Sequence, residues 1–288
     1  MTKRIFEISK HVSEIEILKK LEHIGKQNLT TTGHGYQEFG SIPISESSQR
    51  STLTYSDRFK KKPAIGVIEV VLAANRNFNK VVEPHVKRIE IEYPHLKNFK
   101  DLQDILNSKT KEEFYSFWGH KDEKKYNTLT KIILSIEELK KQNPTIADDY
   151  TVMNNWGTIA DLSNYKSDII GSIPNVAIAT FQHLRMVFGV DTIKPDQRVK
   201  EVLDFEFGLS KLSDLNVINA IEQIALISKM KVITIDQVFV QYGSSYYNQS
   251  ANKITLKQII SNLKKLGVED EIISKATLLT LGQIEKIK

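Results

Sequence analysis

Beyond residue 63, apolar residues recur at intervals of three and four positions, which is the spacing of an α-helix with one buried face. The pattern predicts a mainly α-helical protein. Helices are predicted at 65–74, 78–93, 101–106, 111–118, 123–141, 165–171, 177–188, 195–207, 214–229, 233–242 and 256–266, with another in the tail from 269. A loop that carries Trp156 and Gly157 is predicted between the helices at 123–141 and 165–171.

Residues 1–62 differ in composition and form an N-terminal extension. A first amphipathic helix is predicted from the apolar positions Ile15, Leu18, Leu21 and Ile24. Residues 28–57 are rich in Thr, Ser and Gly, and the short alternating piece 52–55 is compatible with a strand. Two interpretations stay open for this segment, a small β-hairpin or a mobile arm.

A tight apolar turn is predicted between the helices at 165–171 and 177–188. Ile173 and Val176 can bury inward and lock the two helices together, and Asn175 tolerates a positive φ better than other non-glycine residues. The second helix begins with free backbone N–H groups, and its dipole favours an anion there. A phosphate oxygen is a natural ligand for such a turn.

The chain from this turn to Asp196 resembles the helix-hairpin-helix plus Gly/Pro-Asp signature of the DNA glycosylase superfamily that includes endonuclease III. The family hairpin usually reads Leu-Pro-Gly-Val-Gly, and Ile173, Pro174 and Val176 match its Leu, Pro and Val positions. The end of the next helix at 188–189 and the approach 192–196 match as well. The match is strong over 173–202 and extends, as a pattern only, from 65 to 242.

The resemblance implies a two-lobed helical fold of the HhH-GPD type. One lobe would comprise 63–75 and 191–288, and the central lobe would be 76–190, ending in the hairpin. In that fold the hairpin binds the DNA backbone. The implied DNA contacts are Ile173, Pro174, Asn175, Val176 and Ala177.

The resemblance also makes Asp196 the catalytic carboxylate. Breaking an N-glycosidic bond creates an oxocarbenium-like sugar, which a carboxylate can stabilise while it orients or deprotonates a water molecule. The plain alternative is that Asp196 only caps the helix that follows it. Lys194 and Arg198 flank it and are candidates for phosphate contacts or ordinary surface charges.

A stacked base must leave the duplex to reach this carboxylate. Asn75 stands where the family carries a polar residue that fills the gap left by the extruded base, although it is equally compatible with an ordinary helix end. Trp118, Tyr126 and Trp156 are candidates for an aromatic face in the base pocket, although large aromatics at helical spacing are usually core.

The departures from the family pattern indicate a monofunctional enzyme of base excision repair. Asn175 and Ala177 replace both hairpin glycines, and the Ala177 methyl could crowd a bound phosphate. Ala179 stands where bifunctional members carry an imine-forming lysine, so no AP-lyase step is expected. The chain has no cysteine, which excludes a thiolate-bound iron–sulfur cluster, and no cofactor or metal is expected.

The positive net charge is compatible with a polyanionic partner, and the resemblance implies that this partner is double-stranded DNA. The net charge is +5 and the pI about 9.0. No apolar run has the length of a membrane span, so no membrane partner is expected. The absence of cysteine fits a reducing cytoplasm, where the protein is expected, and a monomer is expected although the sequence leaves the oligomeric state open. Two alternatives stay open, a helix-hairpin-helix protein that binds DNA without catalysis and an all-helical protein-interaction module.

Overall fold

The computed structural model describes residues 6–146, 148–247, 256–277 and 284, and these are mainly α-helical, as predicted. The α-helices are α1 Glu14–Lys26, α2 Tyr36–Phe39, α3 Ile44–Thr54, α4 Asp57–Lys60, α5 Pro63–Ala73, α6 Glu83–Glu92, α7 Phe99–Ser108, α8 Lys111–Trp118, α9 Glu123–Gln142, α10 Asp149–Ile159, α11 Ile178–Val187, α12 Gln197–Phe207, α13 Asp214–Ser228, α14 Val232–Tyr246, α15 Leu256–Lys265 and α16 Asp270–Thr277. Short 3₁₀ helices occupy Ile8–Lys10 and Leu162–Ser167, and a π-helical turn, Phe78–Val82, leads into α6.

The β-hairpin interpretation of the N-terminal extension is wrong. Residues 52–54 belong to α3, and the extended pairing of this segment is limited to an isolated bridge between Asn28 and Pro43. Packing overrides the weak local alternation: α3 lies along α14, and the buried Ser48 hydroxyl donates a hydrogen bond of 3.0 Å to the Gln241 side chain.

Two other local predictions are corrected. Residues 149–159, predicted as a loop, form α10, whose first turn is capped by the Asp148 carboxylate. The predicted helix 165–171 is a 3₁₀ helix that ends at Ser167, followed by a turn. The Asp168 carboxylate accepts the N–H groups of Ile170 and Gly171, which competes with helical pairing of this backbone.

The chain divides into two compact units, one through Tyr246 and one from Tyr247. At the centre of the first unit lies α5, all of whose residues are buried. It begins with Pro63 at a position that needs no N–H donor, and it packs against α9 and α11. The helix that follows the hairpin, α11, is therefore fixed to the core of this unit.

In the second unit, α15 and α16 enclose Ile260, Ile273 and Ile284. Gly267 makes the turn between the helices at φ 75°. Lys264 forms an ion pair of 3.4 Å with Asp270 across that turn. None of the helices in the described part of the chain has both the length and the apolar character of a membrane span.

Candidate functional site

Asp196 is the N-cap of α12, and only one of its oxygens serves as the cap. Oδ1 accepts the backbone N–H groups of Arg198 and Val199 at 3.0 and 3.2 Å. Oδ2 lies 3.9 Å from the Lys194 ammonium, and about a quarter of the side chain (26%) is exposed. Capping and chemistry are therefore compatible, because the helix holds one oxygen while the other lies beside the Lys194 ammonium in a partly exposed side chain.

The loop before Asp196 is anchored at several points. Thr192 and Ile193 are buried, and the Thr192 hydroxyl accepts a hydrogen bond of 2.7 Å from Gln182 on α11. The Asp196 N–H donates to the carbonyl of Lys194 at 2.7 Å. The Lys194 N–H in turn donates to Asp236 on α14 at 3.2 Å. These bonds hold the carboxylate on a rigid element, which a catalytic group requires.

Asp236 is a polar residue of this site that the sequence did not reveal. It is 2% exposed, and burial together with the negative charge of Asp196 raises its pKa to about 8. Burial also raises the pKa of the Tyr55 hydroxyl well above its ordinary value, with Asp236 as the next cause. Asp236 lies in an apolar stretch of α14, and Tyr55 follows the end of α3 in a polar stretch, so no sequence signal marked either residue.

The hairpin has the conformation that its sequence suggests. Asn175 adopts the left-handed backbone conformation (φ 70°), which glycine would otherwise supply. Ile173 and Val176 are buried, and the N–H of Val176 closes the turn onto the carbonyl of Ile173 at 3.1 Å. Ala177 is extended (φ −85°) and exposed, so its methyl group meets no backbone constraint in the turn.

Side chains from both flanks hold the hairpin backbone. The Thr128 hydroxyl of α9 donates to the Pro174 carbonyl at 3.1 Å, and the Asn175 amide donates to Thr128 at 3.4 Å. The Lys166 ammonium donates to the carbonyl of Val176 at 2.8 Å. At Gly171 the backbone comes so close that a Cβ atom would lie 1.9 Å from the Tyr165 carbonyl oxygen.

The N-terminus of α11 is open beside the hairpin. Ala177 is its N-cap and offers no side-chain acceptor. Among the described residues, no acceptor takes the N–H groups of Ala177, Ile178 and Ala179. Three free donors at a helix N-terminus on an exposed turn are suited to bind an anion.

A solvent-open pocket of about 220 Å³ lies between the end of α5, the start of α9 and the hairpin. Asn75 and Asn175 both line it, which places the predicted wedge residue and the hairpin on one cavity. Asn75 is exposed and left-handed (φ 57°), so it projects from the end of α5 rather than continuing the helix. Arg76 and Lys124 add positive charge to the same walls.

Lys125 fixes this end of α5. Its ammonium donates to the carbonyls of Val71, Leu72 and Ala74 at 2.8, 3.0 and 2.6 Å. Burial, with the charge of Arg76 next, lowers the pKa of Lys125 to about 8. It supplies partners for carbonyl groups that the end of a helix leaves unpaired.

The other predicted site residues are distributed differently. Trp118 and Trp156 lie in the core, 0% and 4% exposed, and the Trp156 indole donates to Asp168 at 3.0 Å. Tyr126 is half-buried and packs against Phe114. Arg198 lies one residue beyond the start of α12 and pairs with Glu201 at 2.8 Å.

No protein-family model matches the chain, and no curated protein or solved structure is significantly similar to it. The family resemblance therefore stays a prediction that rests on residues 173–202. Within the described residues, no three His, Asp or Glu side chains are grouped so that they could hold a metal ion.

Proposed function

We propose that the protein is a monofunctional DNA glycosylase that removes a damaged or mispaired base from double-stranded DNA. The observation that carries the proposal is the second oxygen of Asp196. It lies 3.9 Å from the Lys194 ammonium in a side chain that is 26% exposed, while its partner oxygen caps the helix and fixes the side chain in place. This is the arrangement that an oxocarbenium-like sugar needs from a carboxylate.

DNA would be held by the hairpin and the pocket beside it. The open N–H groups of Ala177, Ile178 and Ala179 would bind a phosphate, and Arg76 and Lys124 would add sequence-independent attraction. Asn75 projects at the mouth of the same pocket, where it would fill the space of an extruded base.

In the proposed reaction the bond between C1′ and the base nitrogen breaks, and its electron pair leaves with the base, which takes up a proton. Water then forms a bond to C1′ and gives its proton to Asp196. Ala179 offers no amine at the start of α11, so the abasic strand stays intact.

The test is base release from a panel of duplexes that carry single alkylated, oxidised, deaminated or mispaired bases, analysed with and without alkali. We expect strand breaks only after alkali treatment, from at least one lesion class. Release from no member of the panel would contradict the proposal.

One observation favours the second candidate, a DNA-binding protein without turnover. Asp196 caps α12 through two hydrogen bonds, as a purely structural aspartate would. DNA binding that weakens steeply with salt, in the absence of base release, would identify this function.

A further inference from the structure

Asp236 is a buried carboxyl that the chemistry above does not use. Its Oδ1 accepts the Lys194 N–H at 3.2 Å, and its Oδ2 accepts from the Gln237 side chain at 3.2 Å. The Lys194 carbonyl accepts the N–H of Asp196 at 2.7 Å. Two hydrogen bonds through one residue therefore connect the carboxyl of Asp236 to the main chain of Asp196.

We propose that Asp236 is a positioning residue of this site: it fixes the Lys194 main chain, holds Asp196 where the sugar cation forms, and adds its own negative charge when it ionises. The inference rests on the proposed glycosylase function. It adds a second carboxyl to the site. This carboxyl lies on α14, a helix that the sequence analysis did not assign to the site.

Asparagine at position 236 would accept the same backbone hydrogen bond at a lower cost in free energy of folding. Its amide oxygen accepts the Lys194 hydrogen bond, and it has no charge to bury. A buried acid beside another acid costs free energy of folding, because the unfolded chain ionises it freely. A costly acid next to a candidate catalytic carboxylate is typical of a functional site.

The groups around Asp236 define what its ionisation does. Asp196 stands at the start of α12, Lys194 in the loop and Tyr55 after α3. Arg58 and Glu69, from α4 and α5, act on Tyr55. Burial raises the pKa of Asp236 to about 8, so the protein at pH 6.5 holds a neutral carboxyl there. At pH 8.5 most molecules have lost this proton to solvent, which adds a second negative charge near any cation beside Asp196.

The experiment measures how much more tightly the full chain binds a cation at the sugar position than a neutral abasic site. Two duplexes are compared by fluorescence anisotropy, one with a protonated pyrrolidine in place of the sugar and one with tetrahydrofuran. Their ratio of dissociation constants is the cation preference. In this ratio the contribution of contacts to the phosphate backbone cancels, because both duplexes make the same contacts.

The variants separate positioning from charge. Asp236→Leu removes the acceptor, and we expect the cation preference to fall on the order of tenfold, toward that of Asp196→Asn. Asp236→Asn keeps the acceptor and should retain the preference of the wild type at pH 6.5. Asp149→Asn is the matched control, since Asp149 is a buried acid elsewhere that also accepts a backbone N–H.

The pH series covers the case in which Asp236→Leu does not fold. Between pH 6.5 and 8.5 the cation preference of the wild type should rise roughly fivefold, as expected for one added charge at close range, whereas Asp236→Asn should stay flat. Equal pH profiles for wild type and Asp236→Asn would overturn the inference and leave the glycosylase proposal standing. If the wild type binds neither duplex, or shows no cation preference that depends on Asp196, the proposed function fails and the inference fails with it.

Discussion

Asp236 and Asp196 are connected through Lys194, whose N–H donates to the Asp236 carboxyl at 3.2 Å and whose carbonyl accepts the Asp196 N–H at 2.7 Å. Burial of Asp236, together with the charge of Asp196, raises the pKa of Asp236 to about 8. The two carboxyls differ in exposure. Asp196 is partly exposed at the start of α12, whereas Asp236 on α14 is almost fully buried. Environments that differ in this way allow two acids in one site to differ in charge.

Stability should depend on pH through Asp236. In the unfolded chain an aspartate ionises near pH 4, whereas in the folded protein Asp236 stays neutral up to about pH 8. The wild type therefore loses stability as pH rises from about 4 to about 8. Asp236→Asn removes this loss, so it should be more stable than wild type at pH 8 by at least about 1 kcal/mol. Urea unfolding at pH 5, 6.5 and 8 measures the difference, and a difference that does not grow with pH would contradict the assignment.

The hairpin should tolerate glycine at position 175 but not a β-branched residue. Asn175 has φ 70°, a conformation that costs most L-residues roughly 1–2 kcal/mol. Asn175→Val should lower the free energy of unfolding by about that amount, while Asn175→Gly should stay within about 0.5 kcal/mol of wild type. Ala177→Gly is the control, because its extended backbone gains nothing from glycine. Equal stability of the valine and glycine variants would rule out the left-handed turn.

Gly171→Ala should disrupt the support of the hairpin. The added Cβ would lie 1.9 Å from the Tyr165 carbonyl oxygen, so the backbone must move, and we expect a loss of about 3 kcal/mol or more. Gly208→Ala is the matched control, since Gly208 has a positive φ (69°) but open space around its Cβ position. It should cost only about 1 kcal/mol. Thermal unfolding of both variants separates close packing from backbone strain.

Lys124 and Lys125 are neighbours with different roles, and methionine at each position should distinguish them. Lys125→Met leaves the carbonyls of Val71, Leu72 and Ala74 without their donor and should cost about 2 kcal/mol of stability. Lys124→Met should leave stability nearly unchanged and, if Lys124 contacts a phosphate, should lower the salt slope of DNA binding by about 1. Chemical denaturation and salt titration of binding measure the two effects. A stable Lys125→Met protein, or a Lys124→Met protein that unfolds more easily, would refute these two roles.

Much of the fold could be predicted because helical periodicity and capping are local signals. The apolar run at 65–74 predicted α5, and Gly119 predicted the end of α8. In both cases neighbouring residues decide the structure. The error at 52–55 has the opposite origin. Its strand-like alternation is overridden by the contact of α3 with α14, about 190 residues away in sequence.

The candidate site was partly visible for the same reason. Asn175 and Asp196 lie at a turn and a helix start, where residue type limits the backbone. Asp236 reaches the site from α14, about 40 residues after Asp196, and a single sequence carries no signal of that hydrogen bond to the Lys194 main chain. Trp118 and Trp156 illustrate the converse, since chemical type alone cannot distinguish a buried aromatic from one that lines a pocket.

The most direct test is the single-turnover rate of base release by Asp196→Asn, set against Asp148→Asn as the matched cap variant. Asp148 caps α10 through the N–H of Thr151, so Asp148→Asn makes the same exchange of carboxylate for amide at another helix cap and leaves a capping oxygen in place. We predict that Asp196→Asn lowers the rate by a factor on the order of a hundred or more, while Asp148→Asn keeps the wild-type rate. Equal rates for both variants and wild type would contradict a catalytic role for Asp196.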